Sequence, residues 1–349
     1  MEATNVNISI IGATGYSGVE LVRLLLTHPE AHIAAVYSNS QTGKTMQDVY
    51  PHLTHIFTDE LAEIDCERIK AEADVVFIAT PSGVSGKLVP QLLDGTLKVI
   101  DVSGDFRLAT PELYTAWYGK ETAAQSYIDQ AVYGLTEWNA ESIAQTNLLA
   151  NPGCYPTATL LSLLPLLQED VIEGTSIIVD AKSGVTGAGR GASLGTHFCE
   201  VNESISAYKV GKHQHTPEIE QTLTQLTGKE ALISFTPHLV PMNRGILTTA
   251  YAALRPGADA KKIGEAFAKA YEGKPFVRLR PGAYPKTKEV YGSNYCDIAW
   301  HVDERVNRVI VLTVIDNVVK GAAGQAVQNM NLMFGLPETT GLAFTPVYP

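Results

Sequence analysis

The sequence predicts an α/β protein of two domains: a nucleotide-binding domain on a parallel sheet, then an α+β domain whose sheet is mostly antiparallel. Three observations carry that expectation. Short β-branched runs alternate with helical stretches in the first half of the chain. A glycine-rich turn joins the first such run to the first helix. Toward the C-terminus the pattern changes to strands of period two, the mark of a sheet with one covered face.

Composition bounds the answer. A chain of 349 residues, 45% apolar and 18% charged, suits two packed cores rather than disorder or a coiled coil. The net charge of −11, with no basic cluster, argues against nucleic acid as a partner, and an anionic substrate needs a local positive pocket. Cys66, Cys154, Cys199 and Cys296 fit no zinc spacing and form no CxxC, so neither a metal nor a disulfide framework is expected. Met1-Glu2-Ala3-Thr4-Asn5 lacks the basic and apolar runs of a secretion signal. No apolar run is long enough to span a bilayer, so a cytoplasmic setting with no membrane partner is expected.

Val6–Ile11 reads as a buried strand that runs into Gly12-Ala13-Thr14-Gly15-Tyr16-Ser17-Gly18 and then a helix. Strand, glycine turn and helix form the first unit of a dinucleotide site, because glycines let the backbone approach a pyrophosphate and the helix N-terminus supplies positive field. The spacing is G-x-x-G-x-x-G rather than G-x-G-x-x-G. The next strand, residues 33–37, is followed by Ser38, Asn39, Ser40 and Lys44 with no Asp or Glu for a ribose 2′-hydroxyl. Small polar groups and a lysine suit a 2′-phosphate, so NADP(H) is expected over NAD. Residues 73–79 and 98–102 read as further parallel strands, ending in Thr80-Pro81-Ser82-Gly83 and Ser103-Gly104-Asp105-Phe106-Arg107.

Cys154 follows a Pro-Gly turn and opens a helical run, interrupted at Pro165. A cysteine at a helix N-terminus is favoured as thiolate, the nucleophilic form. Residues 176–180 read as a strand leading into the glycine-rich stretch Ser183-Gly184-Val185-Thr186-Gly187-Ala188-Gly189-Arg190. In Lys212-His213-Gln214-His215-Thr216-Pro217-Glu218, Thr216 reads as N-cap and Pro217 as the first helical residue. His213 and His215 then precede the helix on an accessible segment, suited to acid–base work opposite a cysteine. Residues 231–235, 246–254, 295–302 and 308–315 read as strands, with a helix at Ala260–Tyr271. A glycine turn and a last helix follow Asn317, returning the chain to the first domain.

Taken in order, the glycine turn, Asn151-Pro152-Gly153-Cys154-Tyr155-Pro156-Thr157, residues 183–190, His213-Gln214-His215-Thr216-Pro217-Glu218 and Val319-Lys320-Gly321-Ala322-Ala323-Gly324-Gln325-Ala326 resemble the type 1 N-acetyl-γ-glutamyl-phosphate reductases, relatives of aspartate-semialdehyde dehydrogenase. The resemblance spans essentially the whole chain. It implies a Rossmann-type parallel-sheet domain, residues 1–153 and 320–349, around an α+β catalytic and dimerisation domain, residues 154–319. It implies NADPH-dependent reduction of an acyl phosphate, N-acetyl-L-glutamyl 5-phosphate, to the semialdehyde and phosphate through a Cys154 thioester, in arginine biosynthesis. His213 is the acid–base residue with Glu218 orienting it, and His215 is the alternative. Gly12, Thr14, Gly15, Tyr16, Ser17, Gly18, Ser38, Ser40, Thr80, Pro81, Ser82, Ser183, Gly184, Asn317 and Gln325 are the cofactor residues so implied. Ser103, Arg107, Arg190 and Arg244 are the anion-binding ones. A homodimer or homotetramer is expected. Position 214 is Gln where many members carry Arg, which bears on anion recognition beside the histidines. Competing readings are a reductase of carrier-bound aminoadipyl phosphate in lysine synthesis, a Cys–His hydrolase, and a non-catalytic NADP sensor.

Overall fold

The computed structural model describes residues 5–349; Met1–Thr4, on which the reading of the N-terminus rests, lie outside the described residues. The chain divides into two compact units. One runs to Pro152 and includes Ala322–Phe344; the other is Gly153–Gly321 with Thr345–Pro349. The tail thus differs from the expected return of residues 320–349 as one piece: past Phe344 it groups with the second unit, where the Val347 N–H donates to the Tyr291 carbonyl (2.9 Å).

The first unit is built on a seven-stranded sheet. Its strands are β1 (Val6–Ile11), β2 (Ala31–Tyr37), β3 (Leu61–Ala62), β4 (Val75–Ile78), β5 (Lys98–Asp101), β6 (Val132–Tyr133) and β7 (Leu148–Ala150), in the order β3-β2-β1-β4-β5-β7-β6. Every pairing is parallel. All four residues of β4 are buried, as are Ile8, Ile10 and Ile11 of β1. Such strands carry unbroken apolar runs because helices cover both faces. The strand order reverses direction between β1 and β4, which brings the turns after their carboxyl ends together.

The helix Gly324–Met333 completes this unit by polar as well as apolar contact, burying Val327 and Met330 beside its amides. Gln325, Gln328, Asn329 and Asn331 on it are fully buried. Asn329 Nδ2 donates to the Gly134 carbonyl (2.7 Å) and Asn151 Oδ1 (3.0 Å), while its Oδ1 accepts the Thr136 hydroxyl (2.6 Å). Gln325 Nε2 donates to the same Gly134 carbonyl and to Thr136 Oγ1. Gln328 bonds Glu137 and Glu338, and Asn331 bonds the ring of His28. Gly134 has to be glycine, since a Cβ there would lie 2.5 Å from Asn329 Nδ2.

The second unit carries β8 (Ile177–Ser183), β9 (Ser206–Ala207), β10 (Ile233–Leu239), β11 (Ile246–Ala253), β12 (Val277–Leu279), β13 (Cys296–Asp303) and β14 (Arg308–Ile315), in the order β12-β13-β14-β11-β8-β10-β9. Four pairings are antiparallel; β10–β8 and β12–β13 are parallel. The helices Cys154–Gln168 and Ala260–Tyr271 pack together, the former also on β11 and β14. The Cys154–Gln168 helix is buried on every side, from Tyr155 through Leu167. It is not interrupted at Pro165 as expected. Proline cannot bond the carbonyl four residues back, and the Tyr271 hydroxyl donates to that carbonyl, Leu161, instead.

Replacing Asn329 with Leu removes the acceptor of the Thr136 hydroxyl and the donor to Asn151 Oδ1, and leaves the Gly134 carbonyl with Gln325 as its side-chain partner. A loss of about 3 kcal/mol in the stability of the first unit is expected, read from urea unfolding followed by circular dichroism.

Candidate active site

In the first unit the glycine turn is closed hard against the sheet. Gly12 has φ +84°, and a Cβ there would lie 2.5 Å from the Ala79 carbonyl oxygen. A Cβ on Gly18 would lie 2.2 Å from the Gly12 carbonyl oxygen. The helix Tyr16–Leu25 therefore starts directly on the turn, with Gly15 as N-cap, no side-chain cap and no acidic residue in its first turn. Its leading N–H groups are left for an external anion. Thr14, Ser38 and Ser40 gather their hydroxyls beside it, Thr14 Oγ1 to Ser38 Oγ at 3.2 Å and Ser38 Oγ to Ser40 Oγ at 3.5 Å. The Thr80 hydroxyl oxygen, in the neighbouring loop, is buried without a hydrogen-bond partner among the described residues. The residues present fit a dinucleotide phosphate with hydroxyls, not a carboxylate, at the ribose position.

Sequence reasoning missed what holds the second loop. Buried Asp105 accepts the Gly83 N–H (2.7 Å), the Gly86 N–H (3.0 Å) and the Tyr114 hydroxyl (2.6 Å), while Lys120 Nζ donates to the Ser82 carbonyl (2.8 Å). Asp105 thereby fixes the loop at Pro81 and Ser82 and starts the helix Ser85–Leu92. Ser103 donates to buried Asp101 (2.5 Å) and shares a hydrogen bond with Ser85 (2.6 Å). Burial, and then the nearby Asp105, pushes the Asp101 carboxyl above the usual carboxylate range. Arg107, also buried, spends Nε on the Asn151 carbonyl (2.7 Å) and Nη2 on the Val102 carbonyl (3.0 Å). It ties the end of β5 to the segment that leads into the cysteine. Gln325, expected at the cofactor, has its amide donors committed to Gly134 and Thr136.

In the second unit Cys154 is the first residue of its helix, with Gly153 as N-cap. The Gly153 N–H donates to Oε1 of fully buried Glu218 (2.8 Å). Glu218 was expected to orient a histidine; the structure gives it the backbone N–H immediately before Cys154. Gly321 closes the other side. A Cβ on it would come within 2.8 Å of the Cys154 Cβ and 3.2 Å of Ile315 Cδ1. The sequence showed a glycine turn there, but not that it abuts the cysteine.

The histidines depart from the expected picture. The helix starts at His215, with Gln214 as N-cap, two residues earlier than the Thr216–Pro217 reading. Pro217 still falls in the first turn, where a missing N–H costs nothing. His213 is not accessible. It is 3% exposed and enclosed by the rings of Tyr155, Tyr208, Phe235 and His215. Its Nδ1 accepts the His215 N–H (3.1 Å), which assigns the proton of the neutral ring to Nε2. Burial, helped by the Lys209 charge, pulls its pKa down to about 3. The Tyr208 hydroxyl donates to that of Tyr155 (3.1 Å), which donates to the His238 carbonyl (3.3 Å), and burial raises both phenols, Tyr208 to about 12.

Ser183 and Gly184 sit at the end of β8, not in a free loop. A Cβ on Gly184 would lie 2.6 Å from the Asn243 carbonyl oxygen. Asn317 bridges the two segments meeting there, accepting the Gly245 N–H (2.7 Å) and donating to Thr186 Oγ1 (2.9 Å). Arg244 lies 3.7 Å from buried Asp316. Arg190 falls in an exposed stretch well away from any regular element of length. Among the described residues no group of three or more His, Cys, Asp or Glu is arranged to hold a metal, and no helix is long and apolar enough to cross a membrane.

Comparison with known proteins fits this geometry. Residues 7–146 match the family described as semialdehyde dehydrogenase, NAD binding domain, and residues 154–317 match semialdehyde dehydrogenase, dimerisation domain. The chain is 57% identical, over 99% of its length and all of the relative's, to the N-acetyl-gamma-glutamyl-phosphate reductase of Brevibacillus brevis. It is 52% identical to that of Bacillus subtilis, over 98% of the chain and 99% of the relative. Among solved structures, aspartate semialdehyde dehydrogenase II of Vibrio cholerae, complexed with ASA, superposes with a TM-score of 0.72 at 20% identity, covering 95% of this chain and 98% of that one. The aspartate semialdehyde dehydrogenase of Candida albicans with NADP does so at 0.68 and 16%, with 95% and 98% coverage. Full-length likeness at this identity settles the family: the chain belongs to the N-acetyl-gamma-glutamyl-phosphate reductases.

Proposed function

We propose that the protein reduces N-acetyl-L-glutamyl 5-phosphate to N-acetyl-L-glutamate 5-semialdehyde and phosphate, with NADPH as reductant, in arginine biosynthesis. The observation that carries this is Cys154 at the head of a buried helix, its preceding N–H anchored by Glu218 and its flank fitted to Gly321, within a family of that activity. No observation favours the aminoadipyl, hydrolase or sensor alternatives.

The Cys154 sulfur attacks the acyl carbon, the C–O bond to phosphorus-bound oxygen breaks, and phosphate departs with its electron pair, leaving a thioester. The glycine turn, Thr14, Ser38, Ser40 and the Thr80–Ser82 loop would hold NADPH, whose chemistry there would be supply of a hydride to the thioester carbon. Collapse of the resulting thiohemiacetal breaks the C–S bond and frees aldehyde and Cys154. His213, neutral with its proton on Nε2, is a hydrogen-bond donor to the acyl oxygen. The proton exchange falls to His215. Arg244 meets the substrate anion. Arg107 holds the Asn151 carbonyl and so the approach to the nucleophile.

A second copy of the chain covers the half-buried face of the second sheet, where Ile178 (40% exposed), Leu247, Tyr251, Ile310 and Leu312 present apolar side chains opposite the helical face. The protein works as a homo-oligomer in the cytoplasm.

Cys154→Ser is expected to lower phosphate-dependent oxidation of the semialdehyde by about three orders of magnitude or more while NADPH affinity is retained. Intact-protein mass spectrometry with acyl phosphate and no reductant is expected to show the acyl adduct on wild type only. Turnover in the variant, or label elsewhere, overturns the reading.

Ser38→Asp places a carboxylate where the 2′-phosphate lies. It is expected to weaken NADPH by about tenfold or more, relative to NADH, by fluorescence titration of the two nucleotides.

His213 also sets a pH dependence. Its folded pKa lies below the unfolded value, so the unfolded chain binds the extra proton between those two values, and stability falls as pH drops below about 6.5. Between pH 7 and 5 wild type is expected to lose about 2 kcal/mol more than His213→Gln, measured by urea midpoints at each pH.

A further inference from the structure

One fully buried carboxylate near the nucleophile has no part in the chemistry above. Asp316 ends β14. Its Oδ1 accepts the Val318 N–H (3.0 Å) and the Val319 N–H (3.2 Å), and its Oδ2 accepts the Gly292 N–H (2.7 Å). Arg244 Nη1, 3.7 Å away, supplies the facing positive charge. The Asp316 carbonyl then accepts the Gly321 N–H (3.0 Å), a five-residue closure that opens the π-helical turn Val319–Ala323. Such turns are uncommon, need outside support, and collect at functional sites. Here the support is side chain and main chain of the same residue. What the turn delivers is Gly321, whose Cα faces Cys154 so closely that a methyl group would lie 2.8 Å from the cysteine Cβ.

We propose that Asp316 is a positioning residue for the reaction. Its carboxylate nucleates the turn that sets Gly321 against Cys154, and so fixes where the sulfur stands. A carboxylate has enough acceptor sites to take both Val318 and Val319 N–H groups on one oxygen and Gly292 on the other. The arrangement demands an acceptor at that place more than it demands a charge. Asparagine keeps an acceptor there and gives up the Gly292 bond. Glutamate keeps the charge but carries the carboxylate one methylene further out, and the turn has to move with it.

The inference rests on Cys154 as nucleophile, so the test reads the sulfur independently of turnover. In the full-length protein, the rate of Cys154 alkylation by iodoacetamide is measured for wild type, Asp316→Asn and Asp316→Glu, with labelling located by peptide mass spectrometry. Asp316→Glu is expected to slow alkylation, and with it kcat, by about tenfold or more, and Asp316→Asn to stay within about threefold of wild type, with KM for NADPH nearly unchanged in both. A Glu variant less than about fivefold slower than the Asn variant, or a parallel rise in KM for NADPH, overturns the proposal. Loss of turnover with Cys154 labelled at the wild-type rate in the Glu variant also overturns it. An inactive wild-type protein whose Cys154 follows the expected order of rates counts against the proposed function alone.

Discussion

The start of the Cys154 helix is held by one interaction between elements, the Gly153 N–H bonded to the buried carboxylate of Glu218. A helix that begins on Cys154 directly after Gly153 has no side chain of its own for capping. Gly153 offers no side chain, and the first turn contains neither acidic nor polar caps. Without an acceptor, the amide preceding Cys154 would be a buried orphan. Glu218 removes that penalty from another helix, and a negative charge there also complements the positive end of the Cys154 helix. The two helices pack against each other, so the carboxylate also fixes their relative register. Cys154 is placed by a contact between elements, not by local helix propensity.

Glycine supplies the complementary constraint. At Gly12 and Gly18 the absent Cβ lets a helix sit directly on a strand end, and at Gly321 it lets a turn sit directly on the cysteine. In each case the nearest atom is backbone or the Cys154 Cβ, groups with no rotamer by which to move aside. Overpacking at such points has no cheap relief.

Much of this was legible in the residues. The parallel domain, the cofactor turn, the strand at Arg308–Ile315 and the helix at Ala260–Tyr271 follow from apolar periodicity and turn chemistry, both local signals. What was not legible is non-local. Pro165 reads as a helix break, and only Tyr271, over a hundred residues later, satisfies the carbonyl it leaves open. His213 reads as accessible because its neighbours in sequence are polar; its neighbours in space are Tyr155, Tyr208 and Phe235. The short strands Ser206–Ala207 and Val277–Leu279 are made by their partners and carry no period of their own. Ser183 reads as a loop residue because glycines follow it, yet it pairs with Ile246 in the sheet.

The same distinction explains how the chain uses buried polarity. Asp105, Asp316, Asn317 and Asn329 are nearly or fully buried, and each bonds at least two groups drawn from different segments. Apolar packing rewards many nearby arrangements almost equally, whereas a buried amide or carboxylate is tolerable only where its partners stand in one geometry. Loops cannot be placed to a fraction of an ångström by greasy contact alone. In this protein Asp105 ties the loop at residues 83–86, Asn317 the meeting of Thr186 with Gly245, and Asp316 the turn at Val318 and Val319, while the apolar cores beneath them set the fold without fixing those turns.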